Sequence, residues 1–455
     1  MVFKLRRGKR FMKISLVFNI IIVFYICFSH VNWSSTAHLE DSVAEKQHHG
    51  VVRGVRQDTL PTSVRQNSIT NKSTVASMTK PPICLTKILL FGMRQHWFEF
   101  CSFKEFSQYK YLIEFPRFVN CPDTNCFIFL NYSLDARDIP GYDVILFTDV
   151  YQWLTPTMWD WAHGNRTDGQ RWVMITEESP LYVPGVQPPL KYANNTYDWF
   201  DSYKGDSDFV HTYGYYIPYA EGEPVNYPDL KKMVQNKTKL IAWMGSHCET
   251  LQWNRRLFVE DIEKIVHLEK YGKCGDVEIP WNNFEALKET LSPYKFYLSL
   301  ENSCCEDYIT EKFWRALELG LVPVVVGAPL EYYHKVAPPH SFIHPDQFDS
   351  LAELALYLVD LNANEHKYLE YFKWRNIGKL ISYGQEEHYV RPLTNNTQCS
   401  IQSKLLATDQ SQSRKKRHYF GQEWFGSCVK CGAKPWMQKY MLPRDHAREN
   451  INIWA

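Results

Sequence analysis

Carboxylate, amide and ammonium side chains cluster around one short loop in the second half of the chain. Glu301-Asn302 directly follow an apolar run, and Glu311-Lys312 stand at the far end of the loop. In α/β proteins, ligands bind beyond the carboxyl ends of strands and at the N-termini of helices. The sequence therefore predicts a ligand site in the loop between these two pairs.

The residues around the loop predict the elements that position it. Phe296–Leu300 is apolar except for Ser299, which is typical of a buried strand in a parallel sheet. From Thr310 onwards, apolar residues recur at helical spacing, and Gly320 ends that pattern. Val324–Val326 then predicts a second buried strand. The order of strand, loop, helix and strand is that of an α/β sheet.

Length and composition limit the function classes. With 455 residues the chain is longer than one ordinary core, so we expect two domains plus extensions. Its 51 basic and 50 acidic residues leave a net charge of +1, so no nucleic-acid partner is expected. No GxGxxG or GxxxxGK motif occurs, so a nucleotide would be held without a glycine-rich phosphate loop.

A basic N-terminus precedes an apolar segment. Residues 11–31 form a run of roughly 20 residues, which is just long enough to span a bilayer. A cleavable signal peptide is the alternative, but no small-x-small cleavage site follows the run. The basic flank predicts that residues 1–10 stay cytosolic. We therefore predict a signal anchor and a single-pass type II membrane protein with a lumenal body.

Composition and strand patterns divide this lumenal body. After Trp33, the chain has no Phe, Tyr or Trp until well beyond Pro82, so this part cannot bury enough apolar surface to fold. Apolar runs such as Tyr142–Phe147 and Arg171–Thr176 then alternate with helical stretches, as in α/β domains. The predicted segments are a disordered stem at 32–82, an N-terminal α/β domain at 83–220, a C-terminal α/β domain at 221–380 and a tail at 381–455.

Sequons and cysteines agree with a lumenal body. Eleven of the twelve cysteines follow the anchor, where an oxidising compartment would pair most of them. The CxxC pair Cys428 and Cys431 is expected to form structural disulfides, because neither a second CxxC nor a thioredoxin-like context supports zinc or redox chemistry. The adjacent Cys304-Cys305 each need a distant partner or stay free. Seven triplets predict N-glycosylation, at Asn32, Asn71, Asn131, Asn165, Asn194, Asn236 and Asn395.

Several stretches carry a family resemblance, and PPHSFIHPDQF and LNANEHKYLEYFKWR are among them. The main one is FYLSLENSCCEDYITEKFWRALELGLVPVVVGAP at Phe296–Pro329, and looser ones are KLIAWMGSHCETLQWNRRLF from Lys239, WVMITEESP at Trp172–Pro180 and YKGDSDFVHTYG at Tyr203–Gly214. Together they resemble the α-1,3-fucosyltransferase family, the inverting glycosyltransferases of family ten. The resemblance implies a GT-B fold, in which two Rossmann-like domains face a cleft. It also implies an invertebrate-type enzyme of the Golgi membrane.

The resemblance further implies the donor and its contacts. GDP-fucose would bind mainly in the C-terminal domain, with no required cofactor and at most stimulation by a divalent cation such as Mn²⁺. Because negative charge grows on GDP as the sugar leaves, Arg255 and Lys312 would stabilise the phosphates. Glu311 would turn toward the ribose hydroxyls. The implied donor-binding set is Arg255, Glu301, Asn302, Tyr308, Glu311 and Lys312.

Inverting transfer also requires a base that deprotonates the acceptor hydroxyl. Glu178, just past a predicted strand, matches the family's Glu-Ser-Pro position, although the sequence leaves its neighbour Glu177 open as well. On the donor side, Glu301 would lie near the developing charge of the sugar. Asn302 and Tyr308 would hydrogen-bond phosphate or fucose.

Two short motifs receive structural interpretations. Asp206-Ser207-Asp208 is a DxD triplet, which binds a divalent metal in glycosyltransferases of the GT-A type. The resembled family does not use it so, and we assign it to structure or acceptor binding and expect no catalytic metal. Arg414-Lys415-Lys416-Arg417 resembles a convertase cleavage site, and a solvated basic loop is the other interpretation.

The acceptor is not determined by the sequence. The resemblance implies α-1,3 linkage to GlcNAc, on antenna N-acetyllactosamine or LacdiNAc, on the N-glycan core, or alternatively on a protein hydroxyl as in a protein O-fucosyltransferase. A catalytically silent lumenal glycan-binding relative is the remaining alternative. The resemblance also implies that Cys428 and Cys431 pair with N-terminal cysteines such as Cys84 and Cys101.

Overall fold

The computed structural model of the protein describes ten stretches of the chain. All of them lie in the unit Lys80–Ala455. The predicted cytosolic tail, anchor and stem therefore lie outside the described residues, as do Asn32, Asn71 and Cys101. None of the helices in the described part is both long and apolar enough to cross a membrane. The described stretches are 84–92, 115–148, 155–183, 186–194, 196–222, 229–248, 252–279, 283–382, 395–408 and 417–442.

Strands and helices alternate along the described chain. The strands are β1 (Cys84–Phe91), β2 (Arg117–Cys121), β3 (Cys126–Ser133), β4 (Val144–Phe147), β5 (Arg171–Thr176), β6 (Trp199–Ser202), β7 (Phe209–Val210), β8 (Gly214–Pro218), β9 (Lys239–Met244), β10 (Leu268–Tyr271), β11 (Tyr294–Leu300), β12 (Val322–Val326) and β13 (Gly378–Ser382). The helices are α1 (Pro156–Gly164), α2 (Leu230–Gln235), α3 (Arg255–Glu263), α4 (Phe284–Leu291), α5 (Glu311–Glu318), α6 (Leu330–Val336), α7 (Leu351–Ala363), α8 (Glu365–Glu370) and α9 (Asn395–Ala407).

Two main sheets organise these elements. The first has seven strands in the order β2-β3-β1-β4-β5-β6-β7, and all neighbours are parallel except β2 and β3. The second has four parallel strands in the order β10-β9-β11-β12. A separate antiparallel pair joins β8 to β13. The predicted α/β class is confirmed, and the two largely parallel sheets give a GT-B-like fold.

Burial explains why these segments form strands. Every residue of β4, β5 and β12 is buried, which is the pattern of strands covered by helices on both faces. Around the first sheet the core is aromatic: Phe147 stacks on Trp159 of α1 with ring centroids 5.4 Å apart. At the site-bearing helices, Asn254 and Thr310 cap the first turns through their side chains.

Disulfide pairing corrects one expectation. The implied link from Cys428 and Cys431 to Cys84 and Cys101 is wrong for the three described cysteines. Cys84 lies opposite Cys126 in the β1–β3 register and bonds to it. The tail instead runs along the loop after β11, where the Val429 N–H donates to the Cys304 carbonyl at 2.7 Å. The disulfides among the described cysteines are Cys84–Cys126, Cys121–Cys399, Cys248–Cys274, Cys304–Cys431 and Cys305–Cys428.

Candidate active site

The loops that follow β5 and β11 meet and bring predicted residues of both halves together. The Tyr308 hydroxyl donates to Oε2 of Glu178 at 2.9 Å, and the Asn302 amide approaches the same oxygen at 3.4 Å. Beside them, the hydroxyls of Ser179 and Ser303 are 2.7 Å apart and buried. The predicted base and the predicted donor-binding loop are therefore in direct contact.

The two neighbouring carboxylates after β5 have different surroundings. Glu177 is buried at 9% exposure, and its backbone carbonyl accepts a hydrogen bond from the Tyr213 hydroxyl at 2.5 Å. Glu178 is half-buried, and its N–H donates to the Thr176 hydroxyl at 3.0 Å. The Glu178 carboxylate contacts Asn302 and Tyr308 of the loop that follows β11. This geometry favours Glu178 as the base.

Glu301 shapes the start of helix α5. Its side chain is fully buried, and Oε1 accepts from both the backbone N–H and the hydroxyl of Thr310, at 2.8 and 2.9 Å. Its other oxygen lies 3.2 Å from the Lys312 ammonium. Burial raises the pKa of Glu301, while the charge of Lys312 opposes that shift. In this structure the carboxylate thus holds the helix start, and the predicted contact with the sugar stays a prediction.

Lys312 and Glu311 remain charged at the helix start. The Lys312 ammonium lies 3.1 Å from Glu311 Oε1 and donates to the Thr310 hydroxyl at 2.9 Å. Burial lowers the pKa of Lys312, but Glu301 and Glu311 more than offset this and raise it overall. Burial likewise raises the pKa of Glu311, but Lys312 and Arg315 lower it to about 2. A cation and an anion therefore stand side by side at the start of α5.

Arg255 places a second cation at a helix start. It is the first residue of α3, and only 3% of it is exposed. Its guanidinium donates to the carbonyls of Leu300, at 3.0 Å, and His247, while its Nε has no hydrogen-bond partner among the described residues. Burial lowers the pKa of Arg255. A buried guanidinium bonded to neutral carbonyls is costly alone and suits an anionic ligand.

In the DxD triplet, Asp208 is hydrogen-bonded to neighbouring protein groups. Asp208 accepts hydrogen bonds from the Phe200 N–H at 3.0 Å, the Lys404 ammonium at 2.8 Å and the Arg417 guanidinium at 3.0 Å. Asp206 has an exposed side chain 3.8 Å from the Lys204 ammonium. No metal-binding group of three or more His, Cys, Asp or Glu side chains occurs in the described stretches. Arg417 is thus a half-buried partner of Asp208, which neither interpretation of its basic run predicted.

The sequence did not predict the contacts between the first sheet and the loop that joins β11 to α5, which we call the donor loop. Lys204 Nζ lies 3.2 Å from Glu306 Oε2, and the Gly205 N–H donates to Asp307 Oδ2 at 3.0 Å. The partners are 102 residues apart in sequence, and neither belongs to a periodic pattern. Nothing in one sequence could have joined them, because side chains far apart in the chain leave no local signal.

Gly327 is expected to be essential for the carboxylate network. A Cβ at this position would lie 2.6 Å from Glu301 Cγ and 3.0 Å from the Tyr333 hydroxyl, so Gly327→Ala must displace Glu301. We expect a loss of about 1–3 kcal/mol in unfolding free energy from overpacking. Chemical denaturation of both variants measures this loss. Gly141→Ala is the control, because nothing lies within 4 Å of its Cβ. Equal stability of the two variants would contradict this expectation.

Comparison with known protein families identifies matches in both halves of the chain. The description "Fucosyltransferase, N-terminal" matches residues 86–214, and "Glycosyltransferase family 10 (fucosyltransferase) C-term" matches residues 234–419. These two ranges contain Glu178 and all six residues of the implied donor-binding set.

Individual relatives match about half of the chain. Alpha-(1,3)-fucosyltransferase 4 of Bos taurus is 39% identical over 217 residues, which are 47% of this chain and 52% of that protein. The 4-galactosyl-N-acetylglucosaminide 3-alpha-L-fucosyltransferase FUT6 of Homo sapiens is 38% identical over 250 residues, 54% of this chain and 65% of that protein. The chain thus spans about half to two thirds of the length of these curated relatives. A crystal structure of an alpha1,3-fucosyltransferase with GDP aligns with a TM-score of 0.44 at 15% identity, over 76% of this chain and 96% of that chain.

Proposed function

We propose, since the chain belongs to glycosyltransferase family 10, the fucosyltransferases, that it transfers L-fucose from GDP-fucose in α-1,3 linkage to GlcNAc of glycoprotein or glycolipid glycans. One observation carries the proposal: two cations, the buried Arg255 and the half-buried Lys312, stand at helix starts in the half of the chain whose loop contacts Glu178. This is the polarity that inverting transfer from a sugar diphosphate requires.

The chemistry follows from these positions. The acceptor oxygen forms a bond to the anomeric carbon of fucose as the bond from that carbon to the phosphate oxygen breaks. Glu178 takes the proton of the acceptor hydroxyl, and the electron pair of the broken bond leaves with GDP. Arg255 and Lys312 stabilise the charge that grows on the diphosphate, and the N-terminal ends of α3 and α5 add their dipoles.

The remaining donor contacts are assigned by position. Asn302 and Tyr308, whose polar groups already point at Glu178, hydrogen-bond phosphate or fucose between the base and the cations. Glu311, kept ionised by Lys312, accepts hydrogen bonds from the ribose hydroxyls. Glu301 stabilises this arrangement by accepting a hydrogen bond from Thr310 and pairing with the Lys312 ammonium.

Activity is expected to survive removal of divalent metal. Arg255 and Lys312 supply the positive charge that a metal ion provides in other glycosyltransferases, so transfer should proceed in excess EDTA at no less than about a third of the untreated rate. The measurement is GDP release with and without chelator, with Mn²⁺ added back as the control. If EDTA abolished transfer and Mn²⁺ restored it, a metal ion would be required, and Asp206 and Asp208 would be its candidate ligands.

An acceptor panel tests the function itself. The full chain would be incubated with GDP-fucose and N-acetyllactosamine, LacdiNAc, a core N-glycan or a folded protein domain with a free hydroxyl. Fucosylation of a GlcNAc-containing glycan supports the proposal, and a protein product would show a protein O-fucosyltransferase instead. GDP-fucose binding without transfer to any acceptor would show a silent glycan-binding relative.

We propose a Golgi membrane location with the body in the lumen. Support comes from the basic flank and apolar run at residues 11–31, from the seven sequons, and from five disulfides, which persist in oxidising compartments. Among the described sequons, Asn165, Asn194 and Asn236 are exposed, whereas the Asn131 amide donates to the Tyr142 hydroxyl at 2.8 Å. Carbonate extraction, protease protection and glycosidase digestion test this placement.

A further inference from the structure

Helix α5 has two predicted donor-binding residues in its first turn, and its opposite end is completed by two basic side chains. The last carbonyl groups of a helix have no partners within it and need external donors. Lys237 Nζ donates to the Leu319 carbonyl at 3.2 Å, and the Arg375 guanidinium donates to the Leu317 carbonyl. Both acceptors lie in the turn where α5 ends. Positive charge at this end also interacts favourably with the helix dipole.

The two basic residues connect α5 to other parts of the second sheet's layer. Lys237 follows α2, is 8% exposed, and also donates to the Ser292 carbonyl just after α4 at 2.6 Å. Arg375 belongs to the turn Lys373–Asn376, and its guanidinium lies 4.5 Å from the Trp374 ring centroid. The end of α5 is therefore tied to three separate elements.

Keeping these groups buried is costly. Burial, and after it the charge of Arg375, lower the pKa of Lys237 to about 7. Burial also lowers the pKa of Arg375 to about 10, against the opposing effect of Glu318. A purely apolar contact would close the same space without desolvating two basic groups. Unlike an apolar contact, the hydrogen bonds of Lys237 and Arg375 are directional and set the position of the helix along its axis, which gives a reason for these two residues to be present.

The helix is short and well packed, so a displacement at one end reaches the other. Its eight residues span about 12 Å at 1.5 Å per residue. Trp314 is buried, its indole N–H donates to the Ile309 carbonyl at 3.3 Å, and its ring lies against β8. A Cβ on Gly214 of β8 would come within 2.6 Å of that ring, so the helix and strand are in close contact. The contacts at the end of α5 add to this packing and fix the position of the helix along its axis.

We propose that Lys237 and Arg375 are positioning residues of the donor site, which bind the terminal carbonyls of α5 and thereby hold Glu311 and Lys312 in register with the ribose and diphosphate of GDP-fucose. This inference rests on the proposed function. It predicts that two residues at the far end of α5 specifically affect the affinity for the donor.

The test compares three lysine variants of the full chain. Lys237→Met should raise the KM for GDP-fucose and the Kd for GDP about tenfold, with the acceptor KM unchanged, and Lys237→Arg should restore most of the affinity. Both substitutions preserve the sequon at Asn236. Lys295→Met is the matched control, because Lys295 Nζ also donates to a carbonyl near the end of a helix, Asn362 of α7, at 2.9 Å. That helix contains none of the predicted site residues.

The outcomes separate positioning from stability and from the proposed function. If Lys237→Met and Lys295→Met lower the melting temperature alike and leave GDP affinity unchanged, the inference is wrong. It is also wrong if the donor and acceptor KM rise together. Should Lys237→Met not fold, Arg375→Gln provides the same comparison. If the unaltered chain transfers no fucose, the proposed function fails, and calorimetry with GDP still decides whether Lys237 controls nucleotide affinity.

Discussion

Glu178→Gln is expected to lower kcat by about 10³-fold while leaving GDP affinity within about threefold of the unaltered chain. The amide keeps the shape and the hydrogen bond from Tyr308 but cannot accept the proton of the acceptor hydroxyl. Loss of a positioned general base typically removes 10²- to 10⁴-fold of rate, so an effect of about 10³-fold is in range. Initial-rate kinetics and titration calorimetry with GDP measure the two quantities.

The neighbouring carboxylate provides the comparison for this prediction. Glu177→Gln changes the same functional group one residue earlier, where the side chain is buried and the backbone carbonyl is bound by Tyr213. We expect it to reduce kcat by less than about tenfold, since it makes no contribution to proton transfer. A larger loss in Glu177→Gln than in Glu178→Gln would reverse the assignment.

Lys312→Met is expected to lower kcat/KM by about 10²- to 10³-fold, mainly through the donor. The substitution removes the cation that faces the leaving diphosphate, and comparable losses follow when one stabilising group of a transition state is deleted. It also leaves Glu301 and Glu311 without the ammonium that lies 3.2 and 3.1 Å from them. Breaking such a buried pair costs about 3–5 kcal/mol, so folding must be measured as well.

A double variant separates the two effects of Lys312→Met. Glu301→Gln removes the buried carboxylate that the lost ammonium balanced, and the amide can still bind Thr310. Lys312→Met with Glu301→Gln should therefore recover unfolding free energy in a denaturant titration, yet remain inactive. Lys288→Met, at an exposed lysine near Glu285, should change neither quantity. Recovery of transfer in the double variant would mean that Lys312 acts only through stability.

Most of the fold could be predicted because its strands are short buried runs with clear ends. Arg171–Thr176 is predicted with the bounds that the structure gives it. Thr310 caps the start of α5 as predicted, and Gly320, with a positive φ, directly follows the C-cap Leu319. The presence of two sheets follows from the alternation of strands and helices along the chain. The order β2-β3-β1, with one antiparallel neighbour, does not, because pairing depends on contacts between distant strands.

The candidate site was predicted as a set of residues rather than as a geometry. The family motif named Glu178 and the donor-binding set, but not that Tyr308 would contact Glu178 directly. The burial of Glu301 was also missed, because the residue stands in a polar stretch of sequence and only the packed structure shows that Thr310 and Lys312 enclose it. The pairing of Cys84 was carried over from a resemblance, and the register of two adjacent strands decided it otherwise.

The disulfides Cys304–Cys431 and Cys305–Cys428 bear on when the donor loop can take its final form. Their partners are separated by 127 and 123 residues. A ribosome adding about 5–20 residues per second needs roughly 6–25 s to make the intervening chain. The loop that carries Asn302 and Tyr308 therefore emerges well before the segment that fastens it. We expect nascent chains halted before Cys428 to leave Cys304 and Cys305 open to alkylation and to bind no GDP. Nucleotide binding by this protein would then begin only once the segment that contains Cys428 and Cys431 has been made.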